Sequence, residues 1–249
     1  MNEGEWLKSE DPQAMLALLQ GSGRASVRKL RLLAVACCRR IWPLLDVRSG
    51  RRAVEVAERF ADGLASGEEE EDALKEAGDA YEEVMRLHEG GRFSAPDAIG
   101  YHSAQAAYYT IEGRDFPHAL RYALMAAVHH ECDEVEEDAG RDAAEAAEST
   151  ERAAQAALLR CLFGPTPFRQ VNISPSILTR RECLIPGLAQ EAYQERTVPA
   201  GHLDSGRLAV VADALLDAGC TDASLLDHLR NPGPHTRGCW VIDLLTGRD

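Results

Sequence analysis

Four residues near the end of the 249-residue chain carry the ligand chemistry of a structural zinc site. Cys220, His228, His235 and Cys239 read as Cys-x7-His-x6-His-x3-Cys. Thiolate and imidazole are the ligands such sites use, and four of them complete a tetrahedron. Turns flank two of the positions, so the side chains can converge. The spacing lacks the Cys-x2-Cys pairs of familiar zinc modules. A plainer assignment gives Cys220 a buried helix end, leaves His228 exposed, and has His235 order the Pro-Gly-Pro loop at 232–234 by hydrogen bonds.

A second group, His129-His130-Glu131-Cys132-Asp133-Glu134, pairs His129 with Asp133 and His130 with Glu134 on a helix. Dinuclear sites in helical bundles need Glu-x-x-His pairs from two helices and further glutamates from two others. No second helix matches, so a solvated acidic face is expected. Cys37 and Cys38 are adjacent, and on a helix they point about 100° apart, which rules out an ordinary redox pair. Cys37 falls on an apolar stripe, whereas Cys38 has Arg39 and Arg40 beside it to favour a thiolate. No Gly-x-Ser-x-Gly sequence occurs, and Gly21-Ser22-Gly23 lacks the Lys-Ser/Thr ending of a phosphate-binding loop.

Charge is unevenly spread. The chain carries −14 overall, which argues against a general nucleic-acid or anionic-membrane binder. Yet residues 24–59 hold ten Lys/Arg against three Asp/Glu. Arg28, Arg31, Arg51 and Arg52 are the candidates there for electrostatic docking of another protein. The alternative is internal neutralisation by the acidic runs Glu68 to Asp72 and Glu131 to Asp138, or plain solvation.

The elements that must position these residues are helices. Ala, Leu and Glu recur, aromatics make up 6%, and no alternating β-branched segment is long enough for a convincing strand. Asp11 and Ser26 can cap helices, Pro12 fits a first helical position, and Pro43 should end or kink the helix begun at Ser26. Further helices are expected from Ser49, from about Glu68 to His88, from Ser94 to Gly113, and from Asp115 to Phe163 with Gly140 dividing the last. Residues 164–176 contain three prolines and read as a linker. Beyond it, helices are expected near 184–196, 207–218, 222–230 and 237–246, with Trp240 anchoring the last. No apolar run reaches the roughly 18 residues of a membrane span. The polar, acidic start is unlike a signal peptide, so reduced thiols and a cytoplasmic location are expected.

Three stretches, LRLLAVACCRRIWPLL (30–45), ERAAQAALLRCLFGPTPFRQV (151–171) and ADALLDAGCTDASLLDHLRNPGPHTRGCWVIDLL (212–245), together with Glu5-Trp6, resemble a family of uncharacterised planctomycete proteins. Its members typically open on an "EW" stretch, vary in an Ala-rich middle and end on "GPHxRGCW". The resemblance covers most of the chain outside residues 65–150. It implies kinship and no activity, so no site residue follows from it.

The expected fold is therefore all-α, an irregular multi-helix array. It divides into a body over residues 1–163, the linker at 164–176, and a smaller C-terminal helical unit over 177–249 that can share the body's core. Two functions are carried forward. The first is a non-catalytic protein-interaction or regulatory module that needs no cofactor. The second is a zinc-binding protein or metalloenzyme built on the C-terminal Cys/His set.

Overall fold

The computed structural model describes residues 1–46, 48–87, 94–132, 140–165, 167–179 and 184–248. They form helices almost throughout, as the composition requires. The first part of the chain holds α1 (Glu3–Lys8), α2 (Pro12–Ser22), α3 (Val27–Arg40), α4 (Ser49–Ala61) and α5 (Gly67–Leu87). It continues through α6 (Ala95–Glu112), α7 (Phe116–Cys132) and α8 (Gly140–Phe163). The remainder holds α9 (Pro175–Leu178), α10 (Leu184–Gln194), α11 (Ser205–Asp217), α12 (Ala223–Arg230) and α13 (Trp240–Thr246). None of these helices is long and apolar enough to cross a membrane.

The caps work as the sequence implies. The Asp11 carboxylate accepts the amides of Gln13 and Ala14 ahead of Pro12, and Ser26 accepts the amide of Lys29. Helix α3 ends at Arg40 and passes into a single 3-10 turn at Trp42–Leu44, where Pro43 denies it another helical hydrogen bond. The acidic group at 133–134 lies outside the described residues.

Helix α3 is the axis of the fold. Residues 30–39 are all buried, because α4, α6, α7 and α8 surround it. Helices α6 and α7 pack side by side, with α5 and α8 outside them. The C-terminal helices close the other end, α13 against α10 and α8. One hydrophobic cluster runs from Trp6 through Leu33 and Leu159 to Trp240 and Leu245, so the body and the C-terminal unit share a core.

A small sheet interrupts the helical pattern. Arg196–Thr197 and His202–Leu203 pair antiparallel around Gly201, whose positive φ closes the turn. Each strand has two residues, too few for an alternating pattern to show in the sequence.

The basic segment is largely neutralised from within. Arg31 pairs with Glu70 at 2.5 Å, Arg59 with Glu69, and Arg52 with Glu76. The first two partners belong to the acidic run at 68–72. Arg40 grips Glu151 with two nitrogens at 2.7–3.1 Å. Arg39 and Glu58, each about 3% exposed, meet at 2.6 Å, and Arg196 joins them at 2.8 Å. Arg28 donates to Asp243 at 2.8 Å, to Asp62 at 3.1 Å and to the Tyr193 hydroxyl at 2.7 Å. Arg51 lies over the Trp42 ring. Of the four arginines considered for docking, Arg28 and Arg31 spend their donors inside the protein, and Arg51 and Arg52 have neighbours on the same chain.

Candidate metal centre

Three C-terminal segments converge on the end of α8. Helix α12 begins at the Asp222 cap and carries His228 near its end. Asn231 terminates that helix, and its side chain accepts the Gly233 amide at 2.8 Å, which folds the Pro-Gly-Pro turn back. The strand at 202–203 then holds the returning chain: Leu203 donates its amide to the His235 carbonyl at 2.8 Å, and His202 bridges to Thr236. Cys239 follows as the first flanking residue of α13.

Gly238 makes the last approach possible. Its φ is +83°, and a Cβ there would sit 2.9 Å from a Leu32 methyl on α3. Gly164 does the same after α8, with φ +51° and its α-carbon facing the Trp240 ring. Trp240, about 4% exposed, thereby anchors α13 as expected.

The result is a set of four ligand atoms, from Cys161, His228, His235 and Cys239, all within 4.8 Å of one another. His228 Nε2 is 3.2 Å from Cys239 Sγ, and His235 Nδ1 is 3.9 Å from Cys161 Sγ. A zinc tetrahedron with Zn–S of about 2.3 Å and Zn–N of about 2.0 Å spaces its ligand atoms about 3.3–3.8 Å apart. Both contacts are close to that range. Cys161, His235 and Cys239 are buried and His228 half-buried, so the group is shielded from water on most sides.

The two buried thiols of the group are shifted in opposite directions. Burial alone would push the Cys239 thiol up. A hydrogen bond from Cys161, the charge of His228 and the donors of both histidines overcome that effect and hold the thiol well below its usual range. Cys161 is pushed the other way, first by sharing its proton with Cys239 and then by burial. Lys29, whose ammonium reaches the Leu162 carbonyl at 2.7 Å, adds a positive charge nearby. The pair thus favours negative charge on Cys239 over Cys161, and a divalent cation bound there would favour loss of both thiol protons.

Three of the four residues expected from sequence come together here: His228, His235 and Cys239. Cys220 is buried at the end of α11 and is not among the four. Cys161 takes the place assigned to it. Sequence spacing hides this ligand, since Cys161 stands 74 positions before His235 with no neighbouring ligand type. The only clue was its place near the turn of α8 just ahead of Gly164-Pro165. Cys38 is fully buried against Thr110, and burial pushes its thiol up to about 12, so the adjacent arginines do not make it a thiolate. The six described cysteines are all free thiols.

No known protein family, curated protein or solved structure matches this chain.

Proposed function

We propose that this chain is a zinc-binding helical protein, with Cys161, His228, His235 and Cys239 as a closed Cys2His2 centre that fastens the C-terminal helices to α8. The observation that carries this reading is the fixed orientation of His235. Its Nε2 atom donates to the Asn231 carbonyl at 2.8 Å, which fixes the ring with Nδ1 directed toward the cysteines. Metal-bound histidines are oriented in this way by the hydrogen bond of their other nitrogen. Four protein ligands leave no open position for substrate, which favours a structural role over a catalytic one.

The docking role of the basic segment draws less support, because Arg28 and Arg31 are engaged in internal ion pairs. The test of the metal reading is direct. Protein purified with zinc in the medium should carry one equivalent per chain by elemental analysis. Cobalt substitution should give the visible absorption of a tetrahedral thiolate site. Cys161→Ser should abolish both, and Cys220→Ser should leave both intact. Retention of full metal by Cys161→Ser would reject this ligand set.

A further inference from the structure

A cleft of about 530 Å³ opens beside the centre, between α1, the end of α8, α12 and the Pro-Gly-Pro turn. That volume lies within the range of small-molecule sites. Its wall is largely apolar, built from Trp6, Leu7, Ala157, Pro165, Pro234 and Trp240. Two cations enter the wall. Arg169 is neutralised by Glu3 at 3.1 Å. Arg160 is different: its Nη1 donates to the Ser9 carbonyl at 2.7 Å, and no carboxylate pairs with it among the described residues.

We propose that this cleft binds an amphipathic organic acid, with the carboxylate on the Arg160 guanidinium and the apolar body between Leu7, Trp6 and Trp240. A guanidinium offers five donors in a planar fork suited to a carboxylate. Among the described residues the fork meets one acceptor, the Ser9 carbonyl at Nη1, which leaves its other donors for a ligand. An arriving carboxylate supplies the missing charge. Asp227 also lies in the cleft but is exposed, so it disfavours an anion only at the rim. An amine would meet Arg160 as a like charge, and an alcohol would gain the apolar contacts without the ion pair. The cleft shares Cys161, His228 and His235 with the metal centre, but the proposal does not depend on the metal.

The probe is octanoate, compared with 1-octanol and octylamine of the same length. Two of the chain's three tryptophans line the cleft, so intrinsic fluorescence reports occupancy, with calorimetry for stoichiometry. Octanoate should bind one-to-one and at least about tenfold tighter than octanol, as a charge-assisted pair provides, with octylamine weakest. Arg160→Gln should bring octanoate down to the octanol value, and Arg160→Lys should keep the order. Ala157→Phe should fill the cleft and abolish all binding while leaving the melting temperature in place. Absent octanoate binding, equal affinity for acid and alcohol, or binding that survives Ala157→Phe would overturn the proposal. Zinc measured on the same samples separates the two readings. Zinc without octanoate binding rejects the cleft alone, and octanoate binding without zinc rejects the metal centre alone.

Discussion

His235 is held between two partners on opposite sides of its ring: the Asn231 carbonyl at 2.8 Å from Nε2 and the Cys161 sulfur at 3.9 Å from Nδ1. The Asn231 side chain sets the turn that places its own carbonyl. Asn231→Ala keeps that carbonyl but removes the side chain that sets its position, and should therefore weaken zinc binding by up to roughly 10–100-fold, the range for a disturbed orienting partner, although Asn231 supplies no ligand atom. Competition with a chromophoric chelator measures this. Unchanged affinity would show that the turn does not orient the imidazole.

Chelation should act on stability as well as on metal content. If the centre fastens α12 and α13 to α8, binding energy contributes to folding energy. Excess EDTA should lower the melting temperature of the wild type and leave Cys161→Ser unaffected. Equal melting curves with and without EDTA for zinc-loaded wild type would remove the structural role.

The basic segment predicts a contrast between two arginines close in sequence. Arg39 meets Glu58 where both are about 3% exposed, whereas Arg52 and Glu76 are 37% and 52% exposed. Arg39→Ala leaves a buried carboxylate with one partner fewer and should cost about 3–5 kcal/mol. Arg52→Ala should cost no more than about 1 kcal/mol. Urea denaturation of the two variants gives both values, and similar losses would contradict the burial argument.

His102 contributes one part of the pH dependence. Burial lowers its pKa, Gln105 opposes this, and His129 and Arg121 add to it. The unfolded chain therefore takes up this proton at a higher pH, near 6.5. The stabilisation is complete above about 6.5 and is lost as pH falls toward the lowered folded value. His102→Gln should flatten the acid limb of the stability profile. An NMR titration midpoint at or above about 6.5 for His102 would reverse the sign.

Gly164 offers a packing test at the same end of the molecule. Its φ of +51° and the Trp240 ring, 2.6 Å from any added Cβ, both oppose a side chain. Gly164→Ala should cost about 2 kcal/mol or more through backbone strain and steric conflict. A change in tryptophan emission should accompany the loss, and a variant as stable as wild type would mean that α13 can move away freely.

What the sequence made legible was local. Asp11, Ser26 and Pro43 mark helix ends by rules that act within a few residues, and each behaves accordingly. His228, His235 and Cys239 fall within twelve residues, so one turn brings them together. Cys161 could not be read in the same way, because its position depends on how α8 crosses α13. The destination of the arginines was equally hidden. Charge composition allowed either docking or internal pairing, and only the placement of α5 along α4 brings Glu69 to Arg59.

The convergence of Cys161 with His228, His235 and Cys239, the last two 74 and 78 positions later, has a topological consequence. A cation bound there closes the intervening chain into a ring, as a disulfide would. The entropy of such a closure grows only with the logarithm of the ring's length, so a large ring is tied off at little more cost than a small one. A peptide bond cut within residues 167–176 would then yield two fragments still joined through the ion. Unlike a covalent link, that join opens when the metal is withdrawn and closes again when it returns.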